Sequence, residues 1–449
     1  MNKELSSFAA RLRALISHET PALDDRRFNE LALELFSLQF AHNAAYRKIC
    51  EARRLTPQIV EHWTQIPSVP TSAFKEWELT SIAPGERTAV FHSSGTTEQK
   101  PSRHFHNAES LDLYTASLWS GFERNVLDNS KSKVQNSKLI CLTPPPEAVP
   151  HSSLVHMLET VRQRLGAPKS VFVGKLDAEG LWTLDFEAFS MNIAGKGRGE
   201  PGLSLTQPPL TLALSPGERE QREDVSHRLD AGKNSAGSWS QGRGKIERRL
   251  PGPEIPDPRP HLILGTAFSF VHLLDSLAEK NLRLQLPENS RVMETGGYKN
   301  RSRSMSRAEL HLLITKYLGV PAQDIICEYG MSELSSQAYD GNPDEPDFGA
   351  RVCDPQRFET ERSAAAHRAA LRSRLFRFPP WARVQIVSPE TGREVIEGET
   401  GLIRIFDLAN AFSVSAIQTE DLGIRRGDGF ELVGRAKLAE PRGCSLAAA

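Results

Sequence analysis

Three short stretches carry the residue types that could do chemistry. The first, FHSSGTTEQKPSRH, sets Ser93, Ser94, Gly95, Thr96 and Thr97 in a row with Lys100 close behind. Such a run has little to bury and neither helical nor strand period, so it reads as a loop whose backbone and hydroxyls face something. Glycine for close backbone approach, hydroxyl donors and a nearby cation suit a phosphate. The G-x-x-x-x-G-K-[ST] spacing of a P-loop is missing, so that mechanism does not apply. Taken alone, the stretch reads equally well as a surface turn. The second stretch, ICEYGMSELSSQAYD, runs an apolar strand into Tyr329, Gly330, Met331, Ser332 and Glu333. It offers an aromatic face for a base and, one turn later, a carboxylate suited to Mg2+ beside phosphates. The third, QTEDLG, places Asp421 where a carboxylate could meet ribose hydroxyls.

The elements that must position these residues follow from pattern. Phe28, Leu31, Leu35, Leu38 and Ala41 recur at helical spacing behind Thr20-Pro21, which reads as an N-cap and N1 pair, and Asp24 and Asp25 suit the positive end of that helix. From there, β-type runs (TAVFH, KLICLTP, SVFVGKL, HLILGTA, RVMETGG, DIICEYG) alternate with helical ones (SSLVHMLETVRQRL, SFVHLLDSLAEK, SRAELHLLITKYLG). That alternation predicts an α/β domain with a largely parallel sheet. After about Arg383 the pattern changes to β-hairpins, with Pro-Glu-Thr-Gly, Arg-Gly-Asp-Gly and Gly401 supplying turns. The expected organisation is a helical segment over 1–75, an α/β core over 76–192 and 258–382, and a small β-rich part over 383–449. The stretch 193–257 is rich in Gly, Pro, Ser and charge and poor in aromatics, which predicts a disordered insertion. PQRFETERSAAAHRAALRSRL reads as an arginine-rich surface helix.

Bulk properties exclude several classes. A chain of 449 residues exceeds one ordinary hydrophobic core. With 55 Lys+Arg against 56 Asp+Glu it lacks the electrostatic footprint for nucleic acid or an anionic membrane surface. No run approaches the roughly 20 apolar residues of a membrane span, and the N-terminus reads as an amphipathic helix rather than a signal peptide. HLILGTAFSFVHLL reads as a buried strand and helix start. The five cysteines are scattered and include no C-x-x-C pair, which indicates neither a disulfide framework nor a zinc site and suits a cytoplasmic location. Cys50, Cys141 and Cys327 fall in apolar runs and read as core. His104 and His106 have strand-alternate spacing that makes at most half a metal site, and His151 with Ser152-Ser153 reads as the start of a helix.

Taken together, PTSAFK, FHSSGTTEQKPS, PPPEAVPHSSLVHML, LGTAFSF, ETGGYKNRSRSM, EYGMSELSSQAYD, FPPWAR, DLANAFSVSAIQTEDLG and GRAKLAEPRGCSL resemble the acyl-protein synthetase family, the LuxE-like enzymes of the adenylate-forming superfamily. The similarity runs over about 65–446, with the Gly/Pro-rich stretch as its main departure. It implies an adenylate-forming α/β fold with a truncated C-terminal part. It also implies activation of a fatty acid, or a related carboxylic acid, by ATP and Mg2+, and an acyl reductase as partner. Carried over residue by residue, it gives Ser93, Ser94, Gly95, Thr96 and Thr97 the phosphates and puts Gly296, Gly297 and Gly330 near the nucleotide. Tyr329 would lie against adenine, Glu333 on Mg2+, Asp421 on the ribose and Arg435 at a hinge.

Glu98 stands where the wider superfamily has a further glycine, and the chain stops soon after Arg435, where a lid domain with a catalytic lysine is usual. Lys437 is the nearest substitute and Lys299 another, and either also reads as a surface lysine. Cys444, in a short tail with Arg442 nearby to favour the thiolate, occupies the position of the family's acyl-accepting cysteine. Two rival readings stay open: a ligase that uses free coenzyme A, and a nucleotide-binding scaffold without activity.

Overall fold

The computed structural model describes residues 2–17, 23–93, 100–127, 137–166, 170–194, 259–296, 305–341 and 374–436. Ser94, Gly95, Thr96, Thr97, Glu98, Gly297, Lys299, Lys437, Arg442 and Cys444 lie outside the described residues. So do 195–258, which holds nearly all of the expected insertion, and most of the arginine-rich stretch after Pro355.

Three helices open the chain: α1 (Lys3–Ser17), α2 (Asp25–His42) and α3 (Ala44–Ala52). The cap of α2 is Asp24 rather than Thr20: its carboxylate accepts the Arg27 N–H at 2.7 Å. Aspartate with extended backbone caps as well as threonine does, and it stands next to the first helical residue. A two-residue strand β1 (Val69–Pro70) and a one-turn helix α4 (Ala73–Glu76) follow. TAVFH then forms β2 (Ala89–His92), which pairs antiparallel with β3 (Arg103–His106). It is therefore a local ribbon and not a strand of the parallel sheet, because among the described residues the only strand it pairs with is β3. Helix α5 (Ala108–Phe122) leaves the ribbon through a capping box of Asn107 and Ser110.

The expected alternation comes next. It runs β4 (Lys138–Cys141), α6 (Ser153–Leu165), β5 (Val171–Phe172), the hairpin β6 (Gly174–Leu176) and β7 (Trp182–Leu184), and α7 (Phe186–Ala194), which passes the expected boundary at 192. After the undescribed segment come β8 (His261–Thr266), α8 (Ala267–Glu279), β9 (Arg291–Thr295), α9 (Arg307–Leu318), β10 (Ile325–Tyr329) and β11 (Ala338–Tyr339). These make a six-stranded sheet in the order β11-β10-β9-β8-β4-β5, parallel except at β11. All six residues of β8 are buried, which is why HLILGT reads as a continuous apolar run and not as an alternation. Leu139, Leu262, Met293 and Ile326 face α5 and α6, whereas Ile140, Ile263, Val292 and Ile325 face α7, α8 and α9. Helices thus cover both faces, the three-layer arrangement that parallel sheets require.

The chain closes with β12 (Ala382–Val387), β13 (Thr400–Asp407), β14 (Ala416–Arg426) and β15 (Gly429–Arg435). RVQIVSPETGREV folds back on itself only briefly around its Pro-Glu-Thr-Gly turn, with Ser388 bonded to Arg393, Val387 bridging Glu394 and Val395 bonded to Ile386, while β12 pairs along its length with β13. Gly401 is not a turn residue. It lies in β13, where a Cβ would come within 2.6 Å of the Val387 carbonyl, so the close approach of β12 demands glycine. β1 joins this sheet beside β14, Val69 opposite Ile417, and makes it five-stranded. The N-terminal helices pack on the same sheet, with Phe8, Phe28, Phe36 and Tyr46 sharing one core with Ile386, Ile405, Phe406 and Phe430. Each such side chain, fully buried, stabilises the fold by about 1.5–3 kcal/mol. Head and tail of the chain therefore form one body.

Candidate active site

A cavity of about 280 Å3 opens at the carboxyl ends of β9 and β10, where open α/β sheets receive ligands. Its floor is Thr295, Gly296 and the run from Cys327 to Glu333; one wall is the end of β2 with the start of α6, and another is Asp421, Leu432, Gly434 and Arg435 from the C-terminal sheet. The sequence-predicted residues within the described set, Ser93, Gly296, Tyr329, Gly330, Glu333, Asp421 and Arg435, all line it.

Tyr329 ends β10. Its ring is wedged among Phe376, Phe378 and Phe430 at centroid distances of 5.5–6.3 Å, and its hydroxyl donates to Asp421 Oδ2 at 2.9 Å. Asp421 Oδ1 lies 3.3 Å from Arg435 Nε, and Arg435 Nη2 donates to Glu420 at 2.8 Å. The three residues, from two sheets, form one polar edge of the cavity. Gly330 is glycine for want of room: a Cβ there would lie 2.3 Å from Glu328 Oε1.

Glu333 is buried, its Oε1 accepting from Ser102 at 2.8 Å and its Oε2 from Ser332 at 3.1 Å. Ser102 is also where the Ser/Thr loop returns: its N–H donates to Ser93 Oγ at 3.0 Å and its carbonyl accepts the Ser93 N–H at 3.3 Å. The base of the loop is thereby tied to the Glu333 carboxylate. Among the described residues no group of three or more His, Cys, Asp or Glu side chains could cage a metal. A single buried carboxylate is compatible with Mg2+, which takes one or two carboxylates and fills the rest of its sphere from water and substrate oxygens. Lys100 lies apart on the surface, 3.9 Å from Glu76.

Residues outside the motif reading hold this arrangement. Asp407 accepts from the Ser335 N–H at 2.9 Å and the Ser336 hydroxyl at 2.7 Å, and Asn410 donates to the Glu333 carbonyl at 2.8 Å. Burial raises the Asp407 carboxyl to about 6, against four hydrogen bonds that favour its ionised form. Glu328 is the other unforeseen member. Burial pushes its carboxyl up to about 7; the Thr295 hydroxyl donates to it, and Glu294 lies behind. A glutamate inside the otherwise apolar run IICEYG was the available signal.

His104 and His106 are buried with ring centroids 4.3 Å apart, both held below the ordinary imidazole range first by desolvation, and among the described residues they belong to no group of three or more His, Cys, Asp or Glu side chains that could hold a metal. Cys50, Cys141 and Cys327 are buried as expected, and burial raises all three thiols. Ser152 caps α6 by accepting the Val155 N–H. Among the described residues no helix is long and apolar enough to cross a membrane.

Residues 17–134 match the family Acyl-protein synthetase, LuxE. The matched part includes α2, α3, β1, the β2–β3 ribbon and α5. It bears out the resemblance read from the motifs. Solved structures of 2-hydroxyisobutyryl-CoA ligase extend the likeness. One, an open conformation in complex with 2-HIB-AMP and CoA, has a TM-score of 0.54 at 11% identity and covers 92% of this chain and 74% of its own. Another, in the postadenylation state in complex with 2-HIB-AMP, gives 0.54 at 11%, covering 92% and 67%. The chain therefore has the α/β fold of these adenylate-forming ligases, as expected from sequence. None of the curated proteins matches it.

Proposed function

We propose that this chain is an ATP-dependent acyl-protein synthetase. In the first half-reaction a carboxylate oxygen of a fatty acid, or a related acid, attacks the α-phosphorus of ATP; the bond to the β-phosphate breaks, and acyl-AMP and pyrophosphate result. In the second, a thiol sulfur attacks the acyl carbonyl, the bond to AMP breaks, and a thioester forms. The observation that carries this reading is the convergence of Tyr329, Glu333, Asp421 and the base of the Ser/Thr loop on one cavity at the carboxyl ends of β9 and β10.

In this reading Tyr329, Gly296 and Gly330 border the adenine and Asp421 meets the ribose, with Arg435 fixing its carboxylate. Ser93, Ser94, Gly95, Thr96 and Thr97 hold the phosphates. Gly297 belongs beside Gly296, Lys437 takes the part of the lid lysine, and Cys444 accepts the acyl group. Glu333 would hold Mg2+, which supplies charge compensation for the phosphates. The apolar wall of Val149, Leu154, Met157 and Trp182 suits the acyl chain. An acyl reductase that takes the acyl group onward and a cytoplasmic setting belong to the same reading. The CoA in the 2-hydroxyisobutyryl-CoA ligase structure favours one second reading, transfer to free coenzyme A.

Intact-protein mass after incubation with ATP, Mg2+ and a fatty-acid panel tests both. An adduct that needs ATP, is released by neutral hydroxylamine and is absent in Cys444→Ser is the expected result. Pyrophosphate release without an adduct, and acyl-CoA formation undiminished in Cys444→Ser, would move the assignment to free coenzyme A. Neither adduct nor pyrophosphate would leave a scaffold.

A further inference from the structure

The second half-reaction needs a group to take the thiol proton, and the wall of the cavity opposite Asp421 supplies an imidazole set for it. His151 immediately precedes the Ser152 cap of α6 and is clamped to β2 at two points. Its carbonyl accepts the His92 N–H at 2.9 Å, and its Nδ1 lies 3.2 Å from the Val90 carbonyl. A carbonyl only accepts, so Nδ1 carries the hydrogen and the neutral ring keeps its lone pair on Nε2. No described residue bonds Nε2, and His151 borders the cavity beside Ser93, at the foot of the phosphate loop.

Its neighbours are desolvated or already engaged. His92 stacks against it at 4.7 Å, but Nδ1 of His92 is buried without a partner, and desolvation, then His151 itself, hold its basicity below the ordinary imidazole range. Beyond His92 stands Arg103, paired with Glu78. Across the cavity, Glu333 is engaged by two serines, Asp421 by Tyr329 and Arg435, and Glu328 lies beneath Gly330 bound to Thr295.

We propose that His151 is the general base of thioester formation. Its Nε2 takes the proton of the acceptor thiol as the sulfur bonds to the acyl carbon and AMP leaves with the electron pair of the broken C–O bond. This rests on the acid-activating reading above. It has the logic of an oriented base, with the Val90 carbonyl fixing the tautomer as a carboxylate does in a catalytic triad.

His151→Asn isolates the claim, because the asparagine amide can reproduce the Nδ1–H bond to Val90 while Nε2 is lost. The measurement is a single-turnover comparison in the full chain between pH 6.5 and 9.5. It follows pyrophosphate release for the first step and hydroxylamine-labile acyl-protein, or acyl-CoA when coenzyme A is supplied, for the second. The rate of the second step relative to the first is expected to fall on the order of 10²-fold or more at pH 6.5. The deficit should shrink as pH passes about 8.5, where thiols ionise unaided. In His151→Ala, added imidazole should restore the second step in preference to the first. Equal slowing of both steps, or a deficit that does not change with pH, would overturn the assignment and leave His151 a structural cap. Absence of pyrophosphate release from the unaltered protein would overturn the acid-activating reading itself, and this inference with it.

Discussion

Replacing Glu328 with glutamine should stabilise the protein at alkaline pH and leave it almost unchanged in acid. The carboxyl is 5% exposed at the floor of the cavity, and burial lifts it from an ordinary 4.5 to about 7, with Thr295 opposing the rise and Glu294 adding to it. A folded-state pKa above the unfolded one means that the native state binds the proton more tightly. The stability from this group is therefore fully present below pH 4.5 and is lost as pH climbs through about 7. At about 1.36 kcal/mol per unit of pKa difference, the ionised carboxylate costs the fold about 3 kcal/mol at pH 8.5. Glutamine keeps an acceptor for Thr295 and carries no charge, so it escapes that cost. Asp407, raised to about 6 by its own burial, titrates in both proteins and cancels in the comparison. Urea unfolding of the two proteins at pH 5 and pH 8.5 measures the difference of differences. A gain of roughly 2–4 kcal/mol for Glu328→Gln at pH 8.5, shrinking to about 1 kcal/mol or less at pH 5, is expected. An effect equal at both pH values would show that Glu328 titrates normally and that the cavity floor is wetter than its burial implies.

Two further substitutions probe the cavity edge. Asp421→Asn keeps an acceptor for the Tyr329 hydroxyl but removes the charge beside Arg435, and ATP affinity measured calorimetrically should fall about tenfold, the worth of one charge-assisted hydrogen bond; unchanged affinity would take Asp421 out of nucleotide binding. Gly330→Ala puts a methyl 2.3 Å from Glu328 Oε1, an oxygen whose carboxyl is pinned by Thr295, and should cost about 1–3 kcal/mol in urea unfolding; an unaltered midpoint would mean that the carboxyl is free to swing away.

What could be read from the sequence was local in character. Each strand of the parallel sheet is an apolar run and each covering helix an amphipathic one, so period and composition were enough to find β4, β8, β9, β10, α6, α8 and α9. What escaped depends on partners far away in the chain. Gln39 donates from α2 to the carbonyls of Asn410 and Ala411, and β1 is a strand only because Ile417 lies beside it, some 350 residues on. No pattern within PSVPTSAFK announces that pairing. Gly401 looked like a turn because glycine is common in turns, whereas its reason is the Val387 carbonyl against its Cα.

The site divides along the same line. Tyr329, Glu333 and Asp421 sit in short motifs that could be singled out from sequence, and the structure brings all three to one cavity. Residues that hold those groups answer to the fold alone. Asp407 ends β13 and Asn410 lies in the loop after it, yet they hold the stretch from Glu333 to Ser336 through four hydrogen bonds, two to its backbone and two to its serine hydroxyls. The position of Glu333 is consequently set by the C-terminal sheet as much as by the strand that delivers it. That sheet is itself completed by β1 and covered by the N-terminal helices. Neither the α/β core nor the β-rich end lines the cavity by itself, which is why its residues span His92 to Arg435 and why a boundary drawn near residue 383 falls between segments that share it.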